Sequence, residues 1–295
     1  HQAKVALLQV PDRPGIAAQL FGQVADADIN VDLVIQSINE GNFNDIAFTV
    51  DEAMLPQAQK LAESLQPSLQ GSASEADAAA IITDAQIAKV SIAGAGMIGR
   101  PGVAAKMFST LAAAGVNIQM ISTSEVKVSC SIHTDDCDRA VSTLCNTFKI
   151  AHSPIPAAST QPSAPASGAS TPAVRGAALD RKQARVAIRH IPDRPGMAAR
   201  VFELLAEHHI SVDTIIQSQR CRMVNDQPTR DIAFTVAQGD ASETKALLNG
   251  IAPDLGCGDI TVDEAIAHLC FPKVFALLLG IHFLFGQLHL EANGH

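Results

Sequence analysis

Apolar and polar positions fall along the chain in a recurring succession of periods. Lys4 to Val10 is an apolar run of strand length. It is followed by Pro11-Asp-Arg-Pro-Gly15, a turn whose Pro14 and Gly15 are placed to open a helix. Ile16, Leu20, Phe21 and Val24 then recur at helical spacing, and Val31 to Ser37 reads as a second strand. Gly41 marks a hairpin into a third strand, Asp45 to Val50. Leu55 to Leu65 has the pattern of an amphipathic helix, and Ala78 to Thr83 that of a further strand. The order βαββαβ predicts an α+β sandwich, an antiparallel sheet with two helices on one face.

The same succession returns further along the chain. Val10-Pro-Asp-Arg-Pro-Gly15 recurs as Ile191-Pro-Asp-Arg-Pro-Gly196, an offset of 181 residues from Asp12 to Asp193. Val31-Asp-Leu-Val-Ile-Gln-Ser37 recurs as Val212-Asp-Thr-Ile-Ile-Gln-Ser218 at that offset. Asp45-Ile-Ala-Phe-Thr-Val50 returns as Asp231–Val236 after five extra residues, which a hairpin loop absorbs at little entropic cost. A weaker copy lies between them: Arg100-Pro-Gly-Val-Ala-Ala-Lys-Met-Phe108 matches Arg13–Phe21, and Val116–Ser122 matches Ile29–Ile35. Three related units are thus expected, the periodicity of a repeat architecture.

Composition adjusts this picture in a few places. The 295 residues, 47% hydrophobic and 17% charged, suffice for several small cored domains. A net charge of −9 disfavours nucleic acid or an anionic membrane as partner. Six cysteines without a C-x-x-C pair or ligand-like histidine spacing point to reduced thiols rather than disulfides or metal. Residues 153–173, rich in Pro, Ala, Ser and Thr and without charge, read as a flexible linker. The chain opens at His1 inside a strand-like run, as a fragment of something longer would. Leu269 to Leu290 is strongly apolar but interrupted by Pro272 and Lys273, and what remains, Val274 to Gly286 broken by His282, is too short for a membrane span.

Three features carry a family resemblance. They are P-D-R-P-G-x-A-A with V-D-x-x-x-Q and D-I-A-F-T-V, the run Ala88-Lys-Val-Ser-Ile-Ala-Gly-Ala-Gly-Met97, and Asn117-Ile-Gln-Met-Ile-Ser-Thr-Ser-Glu125. With these the units resemble ACT domains, and their combination is similar to the tandem ACT region of aspartate kinases. The resemblance implies the ferredoxin-like βαββαβ fold, with ACT domain 1 at 1–87, ACT domain 2 at 88–152 and ACT domain 3 at 174–267. The strand closing ACT domain 2 is expected upstream of His1, and Val174–Asp180 fits the equivalent strand of the next pair. After Ala267 the chain departs from the family pattern, so 268–295 is expected to be a divergent tail.

The resemblance also implies a function. It suggests an allosteric region that binds lysine and/or threonine between paired ACT domains, as a cytoplasmic homodimer, and so controls aspartate phosphorylation. Carried over residue by residue, the effector-binding set is Asp12, Gly15, Ala17, Asp32 and Gln36 in the first unit. In the third it is Asp193, Gly196, Ala198, Asp213 and Gln217; from the second unit, Met97, Ile98, Asn117 and Ile118 are expected to close the site across the interface, the unit they face being left open. A helix N-terminus attracts the ligand carboxylate, and an acidic side chain its ammonium. Set against this, Asp-Arg-Pro-Gly can be no more than a turn and helix cap.

The Lys-Phe-Gly-Gly start of the family's catalytic domain does not occur, so no catalytic residue or metal ligand is assigned, and ATP and Mg would belong to a kinase domain elsewhere. Gly94-Ala-Gly-Met-Ile-Gly99 has the dinucleotide-binding spacing, but register with the other units starts the helix at Pro101-Gly102, and no acid ends the next strand. The remaining alternative is a free-standing ACT amino-acid sensor with no kinase attached.

Overall fold

A computed structural model describes residues 2–38, 43–70, 80–94, 97, 100–124, 126–150, 178–219 and 221–270. The expected linker 153–173, and the tail from 271 onward, lie outside the described residues.

The first unit runs β1 (Gln2–Pro11), α1 (Ile16–Asp26), β2 (Val31–Ile38), β3 (Phe43–Asp51), α2 (Leu55–Gln70) and into β4 (Ala80–Ala93). The second takes β4 onward into α3 (Val103–Ala113), β5 (Met120–Ser124), β6 (Lys127–His133) and α4 (Cys137–Phe148). The third comprises β7 (Ala178–Pro192), α5 (Met197–Glu207), β8 (Val212–Gln217), β9 (Arg222–Val224), β10 (Gln227–Ala237), α6 (Ala241–Leu255) and β11 (Ile260–Cys270). The α+β architecture and the βαββαβ order are those read from the sequence.

Where two strand segments were expected near residue 87, a single one is found. β4 is continuous over 14 residues, pairing with β1 through Ala80–Ile87 and with β6 through Ile87–Ala93. The first two units therefore share one antiparallel sheet of order β2-β3-β1-β4-β6-β5. No Gly or Pro interrupts residues 80–93, so nothing in that segment ends the strand. The third unit builds its own sheet, β11-β7-β10-β8, and its five extra residues form the β9 hairpin that pairs with β10. The turn is made by Asn225 and Asp226, both in the left-handed region at φ 50 and 60, which short polar side chains tolerate.

Several repeated motif residues hold backbone irregularities. Gln9 and His190, at equivalent positions, have φ 57 and 54. Each N–H is taken by the repeated aspartate: Gln9 donates to Asp45 Oδ1 at 3.0 Å, His190 to Asp231 Oδ1 at 2.9 Å. The register of β1 with β3 shifts between Leu7 and Val10, which makes these aspartates clamps for a β-bulge. The repeated threonine likewise takes a backbone donor at a shift of register. Leu33 N–H donates to Thr49 Oγ1 at 3.2 Å, and Thr214 N–H to Thr235 Oγ1 at 3.1 Å. Buried ladder groups left without strand partners must be paired in this way.

The first unit has its own core, where Leu20, Phe21 and Val24 of α1 and Ala58, Ala62 and Leu65 of α2 cover Val5, Leu7, Phe48 and Val50. The second and third units share one core. α3 packs on α5, and Phe202 bridges the units, 5.5 Å from Phe108 and 5.3 Å from Phe234 between ring centroids. The opposite face of the first unit's sheet, through Ala6, Leu8, Leu33, Ile35 and Ala47, rests on Met120 of β5 and Ile216 of β8. Two sheet edges, β5 and β8, meet there. Thr123 Oγ1 donates to Asp213 O and accepts from Ile215 N, both at 3.0 Å, so one hydroxyl ties the edges together. Among the described residues no helix is long and apolar enough to cross a membrane.

Candidate functional site

The packing of α3 on α5 sets up a cleft between the second and third units. Gly102 and Gly196 occupy the same repeat position, before α3 and α5, with φ 89 and 95. A Cβ on Gly102 would lie 3.3 Å from Ala206 at the far end of α5, and one on Gly196 would lie 3.8 Å from Ala112 at the far end of α3. The helices thus pack antiparallel about a local two-fold, each opening glycine against the other's last turn. A side chain at either position meets backbone strain, and at Gly102 a tight contact as well.

The cleft lies beside Gly196. Its walls include Asp193, Arg194, Gly196 and the first turn of α5 from one unit, and Phe108, Val116, Asn117 and Ile118 from the other. N–H groups of a first helical turn have no carbonyl four residues back, so this wall favours an anion. Gln217 and Arg230 complete it from β8 and β10.

Polar groups in the cleft are tightly engaged, with one exception. Asn117 Nδ2 donates to Asp193 Oδ1 at 3.1 Å across the unit boundary. Arg230 Nε donates to Asp193 Oδ2 at 2.7 Å, and the two side chains are only 13% and 12% exposed. Gln217 is 7% exposed, and its Oε1 has no hydrogen-bond partner. A buried acceptor left open costs about 1–3 kcal/mol unless water or a ligand meets it. The enclosed space is about 20 Å³, on the scale of one water. Beside it, along Arg194, Arg200 and Glu203, runs an open groove of about 380 Å³. Lys4 of the first unit is also buried, at 6% exposure. Burial first, then the charge of Arg230, pulls its ammonium below the ordinary lysine range, against Asp84 and Asp193.

The structure distributes the sequence-derived residues unevenly. Asp193, Gly196, Ala198 and Gln217 meet Asn117 and Ile118 in the cleft, so the second unit faces the third. Asp213 contributes through its backbone carbonyl to Thr123, outside the cleft lining. Met97 packs against the shared core instead of lining the cleft. Ile98 lies outside the described residues, as do Gly96 and Gly99 of the glycine run; α3 opens after Gly102.

In the first unit Asp12 accepts from Asn44 Nδ2 at 2.8 Å, Gly15 opens α1 at φ 93, Ala17 rests against the first core and Gln36 is half-buried opposite Ile46. Asp32 accepts hydrogen bonds from Gln2 and Lys89. Its carboxyl is therefore already held by two donors of the protein. The residue missed by sequence reasoning is Arg230. The signal was a divergence inside the repeat: Arg230 stands where the first unit has Asn44, each before D-I-A-F-T-V and each bonded to the Asp of the Pro-Asp-Arg-Pro-Gly loop.

Comparison with known proteins fits this architecture. The sequence pattern of the ACT domain family matches residues 4–66 and 186–251, and a second ACT domain pattern matches 90–148, together more than half of the chain. The chain is similar to the aspartokinase of Corynebacterium efficiens, 38% identical over 50% of this chain and 34% of that protein. It is similar to the aspartate kinase of Pseudomonas fluorescens, 40% identical over the same shares. The crystal structure of aspartate kinase from Synechocystis aligns with a TM-score of 0.81 at 54% identity, covering 91% of this chain and 44% of that one. The chain thus spans about a third of the length of the curated relatives it matches, and under half of that structure.

Proposed function

The chain belongs to the ACT-domain family, as an aspartate kinase regulatory region with tandem ACT domains, and from that premise we propose that the cleft between its second and third units binds a feedback amino acid. The effector would be lysine or threonine, and its binding would restrain aspartate phosphorylation by a kinase domain that handles ATP and Mg outside this chain, in the cytoplasm. The observation that carries the reading is Gln217, buried and with an open acceptor, beside the N-terminus of α5 and the carboxylate of Asp193. An ammonium suits Gln217 Oε1 and Asp193, and a carboxylate suits the helix N-terminus.

The enclosed space is water-sized, and we expect a larger ligand to part Asn117 from Asp193. Occupancy is then coupled to the relative position of two units, which is how a binding event shifts a conformational equilibrium. The first unit's Asp12, Gly15, Ala17 and Gln36 would form a related half-site, and assembly as a homodimer belongs to the same reading. β11 ends the second sheet and offers an edge for it.

Isothermal titration of the chain with L-lysine and L-threonine tests this. Binding of either is expected, with affinity reduced at least about tenfold, the 1.4 kcal/mol of one charge-assisted hydrogen bond, in Gln217→Leu and Asp193→Asn. Binding unaffected by both substitutions would move the site elsewhere.

A further inference from the structure

Arg230 and Asn44 hold equivalent places in the third and first units and bond the equivalent aspartates, Asp193 and Asp12, yet one is cationic and the other neutral. We propose that Arg230 is the specificity-determining residue of the cleft: it leaves Asp193 for the carboxylate of an incoming zwitterionic amino acid, while Asp193 and Gln217 take the ammonium. This rests on the reading of the cleft given above and adds the residue that reads the ligand's charge.

Charge balance supports the exchange. In the closed cleft both oxygens of Asp193 are engaged, one by Asn117 and the other by Arg230. Arg230 has weak further bonds, its Nη1 lying 3.4 and 3.5 Å from the carbonyls of Ser218 and Gln219. Its guanidinium therefore has donors in reserve. Breaking a buried ion pair is costly when one partner is left bare. A zwitterion avoids that cost by supplying both replacement charges at once: its carboxylate satisfies the released guanidinium, and its ammonium the released aspartate. A cation alone leaves Arg230 unpaired, and an anion alone leaves Asp193 unpaired. Arginine suits this role because its planar fork matches a carboxylate with two donors. In the first unit the equivalent partner of Asp12 is the neutral Asn44, so that half-site has no guanidinium at the position of Arg230.

The test compares L-lysine and L-threonine with their carboxamides, which keep the ammonium and side chain but lose the carboxylate charge. Titration of the full chain is expected to show at least about tenfold tighter binding of the amino acid than of its carboxamide. In Arg230→Asn that preference should fall to what the N-terminus of α5 alone supplies, and in Arg230→Lys it should partly return. Folding of Arg230→Asn is expected, since Asn44 holds Asp12 in the same geometry, and circular dichroism checks it. A preference for the free acid that is undiminished in Arg230→Asn overturns the role of Arg230 while leaving the cleft reading intact. Binding indifferent to both Gln217→Leu and Asp193→Asn, or no binding by the folded chain, overturns the cleft reading and this proposal with it.

Discussion

Asn117 of the second unit donates a 3.1 Å hydrogen bond to Asp193 of the third, a side-chain bond that closes the cleft across the unit boundary. Asp193 keeps Arg230 when Asn117 is lost, so Asn117→Ala should cost only about 1 kcal/mol of stability. Its larger effect should fall on ligand affinity. If the bond must break on binding, its removal lowers the cost of opening and offsets part of any lost contact. Urea unfolding and titration of the same variant separate the two. A stability loss above about 3 kcal/mol would show that Asn117 holds the units together rather than closing a site.

Thr123 plays a different part, with one hydroxyl bonded to both Asp213 O and Ile215 N at the meeting of β5 and β8. Thr123→Val keeps the shape and removes both bonds at that edge. The expected cost is about 1–3 kcal/mol. Thr123→Ser retains the hydroxyl and should recover most of it. Denaturant midpoints of the three proteins decide this, and equal midpoints for serine and valine would assign the effect to packing alone.

Asp32 predicts a dependence on pH. Burial by itself raises its carboxyl, but hydrogen bonds from Lys89 and Gln2 and the charges of Lys89 and Lys127 outweigh burial and hold it below the usual carboxylate range. A depressed acid stabilises the fold at pH above its ordinary value near 4, and that contribution fades as pH falls through the folded value. Asp32→Asn should therefore be less stable than the parent at neutral pH, the gap closing below about pH 4. Thermal unfolding between pH 3 and 7 measures it. A gap that stays constant with pH would mean that the Lys89 pairing contributes nothing to folding.

The βαββαβ order was legible because turns and periods are local. Pro-Asp-Arg-Pro-Gly fixes where α1 and α5 begin, and Gly15, Gly102 and Gly196 stand at the helix starts in register. Four of the cleft residues of the third unit were legible too, with Asn117 and Ile118 of the second. Which unit the second would face was not, because that depends on α3–α5 packing and on the meeting of β5 with β8, both long-range. The continuity of β4 was missed for a related reason: two repeat units end and begin within one strand, and repeat comparison cuts it at Ile87. Asp32 shows the limit of motif transfer. It repeats as Asp213, yet in the first unit it spends its carboxylate on Gln2 and Lys89. Arg230 was hidden by the repeat itself, since comparison draws attention to what matches rather than to what differs.

The local two-fold of α3 and α5 makes a quantitative prediction about their opening glycines. Both lie at positive φ, so alanine at either should cost about 1 kcal/mol for the backbone alone. The surroundings differ: a Cβ on Gly102 would approach Ala206 to 3.3 Å, whereas one on Gly196 would sit 3.8 Å from Ala112, an ordinary contact. Gly102→Ala should therefore destabilise more than Gly196→Ala, by up to a further 1–3 kcal/mol if the helices cannot part. Ala206→Gly removes the opposing methyl and should relieve Gly102→Ala but not Gly196→Ala. A double-mutant cycle by denaturant unfolding reads this directly. Equal costs for the two glycines, with no coupling to Ala206, would mean that α3 and α5 yield at that contact and that the cleft beside Gly196 has softer walls than the packing implies.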